Sequence, residues 1–305
     1  MSDISIIVCT YNRSESLRET LGALGRQTVS DGVRLDIVVV DNNSTDHTRT
    51  VVEEIRKGSV WPIRYTFESR QGVNFARNRG VQEAKGEIVA FVDDDVLPEP
   101  TWVHTIAEAF TIHHADGVGG KILPLWLQPP PPWLLDERVR RTYWCLLALL
   151  DHGPDVIVAH TFDGNLIYGA NMAFRKRVFD EVGFFRTDVG AIGSQLLRGD
   201  ETEMLQRLVA AGKRLVYTPH AVVHHKVPPE RMRLPYARWW RFWAGHSSAP
   251  TSPKGACIPM WLVRECAENG LGALWAHGRR HTACAIEREL QFWTQLGQIV
   301  GAFRA

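Results

Sequence analysis

Apolar positions in the first third of the chain follow two alternating periods. Short runs of β-branched and aliphatic residues, "ISIIVCT" (Ile4–Thr10), "LDIVVVD" (Leu35–Asp41), "IRYTFE" (63–68) and "EIVAFVD" (87–93), predict strands that are apolar on both faces. Between them the apolar residues recur at helical spacing. These stretches are "SESLRETLGALGRQ" (14–27), "TRTVVEEIRKG" (48–58), which Asp46 is placed to cap, and "GVNFARNRGVQEAKG" (72–86), which ends at Gly86. A fifth strand is expected in "GVGGKILPL" (117–125). Buried strands alternating with helices predict an α/β fold, with a Rossmann-like, doubly wound and mostly parallel sheet.

Ligands of such sheets sit beyond the carboxyl ends of the strands. Each strand here runs into a polar tail, "TYNR", "DNNSTD", "ESRQG" or "DDDVLPE", so four strand ends point to one crevice. After residue 125 the alternation stops. "LQPPPPW" (127–133) is a stiff polyproline spacer, followed by a helical stretch to about Leu150. Mixed structure resumes from Asp163 to Val227, and from Arg231 onward the pattern is helical and rich in Trp and Arg. The expected organisation is a domain over 1–230, dividing at 123, and a helical C-terminal extension over 231–305.

Composition narrows the classes. Over 305 residues, 45% are hydrophobic and 23% charged, enough apolar content for a full core. A net charge of +1 argues against nucleic acid as a partner, because no global positive field is present. The five cysteines form no CxxC pair and no metal spacing, which reads as reduced thiols in a cytoplasmic protein. The opening "MSDISIIVCTYNR" lacks the order of a signal peptide, and no uncharged apolar run is long enough to cross a bilayer. The expected location is the cytoplasm, with a peripheral place at the inner face of the membrane left open.

Three consecutive carboxylates, Asp93, Asp94 and Asp95, close the fourth strand. Their mutual repulsion is tolerable if a divalent cation offsets it or if one of them stays protonated. Hard oxygen ligands suit Mg²⁺ or Mn²⁺, which take phosphate oxygens as further ligands. The plainer alternative is an Asp-rich helix cap before "PEPTWVHTIAEAF", although one aspartate would suffice for that.

The ordered set "VCTYNR", "VVVDNNSTD", "GVNFARNRG", "FVDDDVLPE", "YGANMAFRK", "RGDETEM" and "VVHHKVPPER" resembles a GT-A glycosyltransferase of family 2, from Ile4 to about Arg231. The resemblance implies a nucleotide-sugar-binding half over 1–123 and an acceptor and catalytic half over 124–230. It implies that Thr10, Tyr11, Asn12, Arg13 and Asp41 hold the donor nucleotide, and that Arg77 faces the donor. On local grounds the alternatives are a packing residue for Tyr11, an Asx turn for Asp41 and a helix-surface ion pair for Arg77. The family's DxD motif falls on Asp93, toward the ribose, and on Asp95, a ligand of the metal at the diphosphate; Asp94 lies between them. The resemblance implies His225, rather than His224, as a further metal ligand; neighbouring residues of an extended segment face opposite ways, so only one of the two points into the site. Gly169, Ala170 and Asn171 of the "YGAN" turn match the loop that lines the donor sugar, where Asn171 would meet sugar hydroxyls; a plain turn is the equal alternative.

Relatives usually carry Glu-Asp where this chain has Asp200-Glu201, and the second residue is the general base. Alignment therefore gives Glu201 the role, with Asp200 as rival; a charged first helical turn is the alternative. "YARWWRFWAGH" (236–246) reads either as a face packed on the C-terminal helices or as a membrane-surface helix contacting lipid through Trp239, Trp240 and Trp243. The expected activity is metal-dependent, inverting transfer of a sugar from a nucleotide-diphosphate sugar, UDP-sugar favoured, to the hydroxyl of a lipid-linked or polysaccharide acceptor. The rivals are a nucleotidyltransferase, which would want a Gly-rich loop that "CTYNRSES" lacks, and a non-catalytic nucleotide-sugar-binding subunit.

Overall fold

The computed structural model describes residues 3–29, 32–159, 161, 166–188, 200–247, 258–278 and 282–302. The chain begins β1 (Ile4–Thr10), α1 (Ser14–Leu24), β2 (Leu35–Asp41), α2 (Thr48–Arg56), β3 (Ile63–Phe67), α3 (Val73–Glu83) and β4 (Ile88–Asp93). It continues through β5 (Val96–Pro98), α4 (Trp102–Ile112), β6 (Gly117–Trp126), α5 (Pro132–Leu135), α6 (Glu137–Tyr143), β7 (Ile157–Ala159), β8 (Asn171–Arg175) and α7 (Val178–Val182). The last elements are α8 (Asp200–Ala210), β9 (Leu215–Val227), α9 (Leu234–Ser247), α10 (Met260–Gly278) and α11 (Thr282–Ala302).

These elements fall into two compact units. The first comprises the described residues of Met1–Leu125, Leu149–Gly193 and Gly199–Lys226. Its sheet runs β3-β2-β1-β4-β8-β6-β9-β5, with β7 also on β9. β1 to β4 are mutually parallel, as the alternation of strands and helices requires. Beyond β4 the direction reverses, because β8 lies antiparallel to both β4 and β6. The apolar runs are buried as their composition demands: Ile6, Ile7, Val8, Ile37, Val38, Val39 and Val40 are all inaccessible. Each such side chain contributes about 1.5–3 kcal/mol relative to an exposed one.

Two helix starts share one carboxylate. Asp46 accepts from the Thr48 backbone N–H at 3.0 Å, opening α2 as expected, and from the Ser14 N–H at 2.9 Å, opening α1. Burial pulls its carboxyl upward, but the hydrogen bonds from Thr48 and Ser14 outweigh that and hold it below the usual carboxylate range.

The second unit is helical and comprises the described residues of Trp126–Ala148 and Val227–Ala305. The boundary differs from the expectation of 1–230: the spacer and the helices after it belong with the C-terminal helices. α6 packs on α11, and the buried Tyr143 hydroxyl donates to the carbonyls of Arg231 (2.8 Å) and Arg233. The aromatic segment is α9. Trp240 is buried, which fits the packed reading of the segment and takes that residue out of the alternative, a membrane contact; Trp239 is 44% exposed, and the Trp243 ring lies 5.2 Å from His246. Arg238 pairs with Glu289 of α11 at 2.6 Å. Apolar side chains instead protrude from α10, at Met260, Trp261, Leu271, Leu274 and Trp275. No helix of the described residues is long and apolar enough to cross a membrane.

Candidate active site

Parallel register brings the strand ends together. Thr10 lies opposite Asp41 across β1 and β2, and Cys9 lies opposite Asp93 across β1 and β4. Beyond these ends opens a cleft of about 270 Å³, whose walls include Tyr11, Arg13, Asn42, Gly72, Asp93 and Asp94. Tyr11 presents a 44% exposed ring there. Asn12 sits at φ 52°, a left-handed conformation that asparagine tolerates, and clamps the turn. Its N–H donates to the Ser44 hydroxyl at 3.0 Å, and its side-chain oxygen accepts from the Thr45 N–H at 2.7 Å.

Asp41 is buried and both of its oxygens are engaged. One accepts from the Ser44 N–H at 2.8 Å in a turn, and the other from the Tyr65 hydroxyl at 2.8 Å. Asn42, which sequence reasoning did not single out, does more of the shaping. Its amide donates to the carbonyls of Glu68 and Arg70 and accepts from the Gly72 N–H at 2.9 Å, folding the β3–α3 loop onto the cleft. The available signal was a side chain with both donor and acceptor placed one residue after a strand.

Two of the three aspartates share one cation. Asp94 is buried; it accepts from the Thr10 hydroxyl at 2.8 Å and from Arg13 Nη1 at 3.0 Å, while its backbone carbonyl accepts from Thr20. Asp95 accepts from the same Arg13 nitrogen at 2.9 Å, and its other oxygen stands 3.3 Å from His225 Nε2. Burial, then the like charge of Asp95, push the Asp94 carboxyl up to about 7, against the pull of Arg13 and Thr10. Burial also raises Asp93, and Arg77 is the strongest force opposing that rise. Burial disfavours the charge on Arg13, but Asp94 and Asp95 outweigh it and hold the guanidinium more firmly protonated than usual.

Arg77 projects from α3 and is buried, with Nη1 3.4 Å from the Asn74 side-chain oxygen and its guanidinium over the Phe185 ring. Arg79 makes the helix-surface pair instead, with Glu83 at 2.8 Å. Gly169 is there for room: a Cβ on it would stand 2.4 Å from Arg77 Nη2. Ala170 beside it is buried.

Asn171 calls for a correction to its expected sugar contact. It is 1% exposed; its Oδ1 accepts from Trp102 Nε1 at 2.8 Å, and Nδ2 donates to the carbonyls of Lys121 (3.0 Å) and Ala221 (2.8 Å). Three bonds tie β8 to α4, β6 and β9, and the side chain presents almost no surface to a sugar.

The two histidines separate as the strand period requires. His225, opposite Val96 in the β5–β9 pairing, is 2% exposed and turns to Asp95; His224 turns outward to Glu99 at 3.1 Å. Asp200 and Glu201 open α8, where the Glu201 side chain is half-buried. The Asp200 side chain and the preceding 189–199, including Arg198 and Gly199 of "RGDETEM", lie outside the described residues.

A parallel sheet with an acidic strand end, continued through reversed strands to a histidine beside it, is the GT-A architecture. The mannosyltransferase PcManGT from Pyrobaculum calidifontis, solved in complex with GDP-Man and Mn²⁺, has the same fold, with a TM-score of 0.62 at 19% identity over 98% of this chain and 87% of that one. The family model of glycosyl transferase family 2 matches residues 5–183, more than half of the chain, and the protein belongs to that family. It is similar to the glucosyl-dolichyl phosphate glucuronosyltransferase of Haloferax volcanii, 29% identical over 80% of this chain and 75% of the relative. The succinoglycan biosynthesis protein ExoM of Rhizobium meliloti is 27% identical over 80% and 73%. The protein is therefore a glycosyltransferase, an enzyme that transfers sugar.

Proposed function

We propose that this enzyme transfers a sugar, with inversion, from a nucleoside-diphosphate sugar bound in the cleft to an acceptor hydroxyl. The observation that carries the reading is the pairing of Asp95 with the buried His225, 3.3 Å apart at the end of the strand that supplies Asp93. A carboxylate and an imidazole so placed form a donor set that suits Mn²⁺ or Mg²⁺, and the Arg13 guanidinium already satisfies the demand for positive charge there. Among the described residues no three His, Cys, Asp or Glu side chains are gathered as a ready metal cage; Asp95 and His225 would hold the ion, with Asp93 moving in beside them, and the ion when bound would offset charge on the leaving diphosphate. Tyr11 offers its exposed ring to the base, and Arg77 supplies a buried positive charge behind Asp93. Glu201 takes the acceptor proton for in-line attack at the anomeric carbon, with Asp200 as rival base.

UDP-sugars are the first donors to test, and GDP-sugars the second, given the GDP-Man carried by the mannosyltransferase of like fold. The acceptor is assigned to the lipid-linked or polysaccharide class. The names of the two relatives, one a dolichyl-phosphate sugar transferase and the other a succinoglycan biosynthesis protein, support that class. The test combines calorimetry against UDP and GDP, with and without Mn²⁺, and product detection with a panel of donors. Asp95→Ala abolishes metal-stimulated nucleotide binding, whereas Glu201→Gln retains binding and loses transfer. Full turnover by Glu201→Gln removes Glu201 from the reaction and leaves Asp200.

A further inference from the structure

One nitrogen of Arg13 is shared between two carboxylates, at 3.0 Å from Asp94 and 2.9 Å from Asp95. Asp94 keeps a second anchor, the Thr10 hydroxyl at 2.8 Å, and Asp95 keeps the His225 ring. The two acids are 6% and 13% exposed, while the Arg13 side chain is 45% exposed and lines the cleft. The Arg13 side chain thus keeps an open flank to solvent while its guanidinium bridges the two acids. Its departure uncovers negative charge at Asp95, and a dication bound there would stand next to a guanidinium if Arg13 stayed. The ligand best fitted to draw Arg13 away is a diphosphate, whose oxygens match the planar fork of donors.

We propose that Arg13 is a latch on Asp95: without donor it occupies the place of a divalent cation, and the donor diphosphate takes it over, so that metal and donor bind cooperatively. The inference rests on the metal-dependent reading above. Arg13 is a positioning residue here, acting on the metal through Asp95. Linkage makes the effect reciprocal: the factor by which the nucleotide tightens the metal is the factor by which the metal tightens the nucleotide.

The test is Mn²⁺ binding, followed by electron paramagnetic resonance of free Mn²⁺ and by calorimetry, with and without saturating UDP or GDP. In the wild type the nucleotide tightens Mn²⁺ by about tenfold or more, within the usual range of coupling. In Arg13→Gln, Mn²⁺ alone binds about tenfold tighter than in the wild type, as expected when a neighbouring cation is removed, and the further gain from nucleotide shrinks to about threefold or less. Arg13→Lys, which keeps a charge but loses the fork, falls between the two and serves alone if the glutamine variant does not fold. A purely structural role predicts weaker Mn²⁺ binding in both variants, and that result, or unchanged coupling, overturns the latch. A wild type that binds no Mn²⁺ with either nucleotide overturns the metal-dependent reading itself.

Discussion

Asn171 provides a sharp test, because two incompatible roles predict different losses. Its side chain holds the Trp102 indole N–H and the carbonyls of Lys121 and Ala221 at 2.8, 3.0 and 2.8 Å, and Trp102 is wholly buried. Asn171→Ala strands one donor and two acceptors. A buried polar group left unpaired costs about 1–3 kcal/mol, with carbonyls that keep a second lone pair at the low end. The expected loss is about 3–5 kcal/mol, or on the order of 10 °C in Tm for a unit of this size. Gly120 supplies an independent check: a Cβ there would stand 2.1 Å from the Ala221 carbonyl oxygen and 2.6 Å from Asn171 Nδ2. Gly120→Ala should therefore cost a comparable amount, and the double variant less than the sum, because both break one network. The assay is urea unfolding followed by both tryptophan fluorescence and far-ultraviolet circular dichroism, with coincident curves as the criterion for a single transition. Nucleotide-sugar affinity is measured on the folded variant at low temperature and stays within about threefold of wild type. A stability loss below about 1 kcal/mol together with a collapse of sugar-donor affinity would refute the staple and restore Asn171 to the sugar site.

Three further outcomes follow from the geometry. His225→Ala weakens Mn²⁺ binding in the presence of nucleotide about tenfold or more, whereas His224→Ala, facing Glu99, leaves it unchanged; equal effects would mean that the strand does not separate the two rings. Gly169→Ala forces the Arg77 guanidinium aside, and donor affinity should fall about tenfold while the unfolding midpoint changes little; an unchanged affinity would show that Arg77 supports the fold and not the donor. Asp46→Ala removes an acceptor from two helix starts and costs about 1–2 kcal/mol at neutral pH. Because the folded-state carboxyl is held low, this contribution is present above its unfolded value near 4 and fades as pH falls through the lower folded value. The gap between wild type and Asp46→Ala in denaturant midpoint should therefore close in acid, and a gap independent of pH would place the effect elsewhere.

Local patterning suffices for the parallel half of the sheet and for a cleft at its carboxyl edge. A run such as "LDIVVVD" has only one stable use, burial on both faces between paired strands, and the polar residue that ends it must then lie at the sheet's carboxyl edge. The same local logic put only one of His224 and His225 inward, because the period of an extended chain is two; the family resemblance named His225, and its pairing opposite Val96 agrees. The resemblance carried by "DDD", "TYN" and "HH" reached the family and the fold, both of which the comparisons show. Tertiary structure decided what each polar side chain is for. Asn171 in "YGAN" looks like a ligand because it is amide-bearing and follows a turn, yet three groups from distant segments consume its hydrogen bonds. Trp240 reads as a packed or a lipid-facing ring in the sequence, and the packing of α9 decides for burial. The charge balance of the aspartates was equally beyond local reading. It depends on Arg13, 81 residues from Asp94 in sequence, reaching across the end of β1. Periodicity fixes which way a residue points, because the backbone sets that locally. Which partner meets it there depends on chain closure over tens of residues, and only the folded structure holds that information.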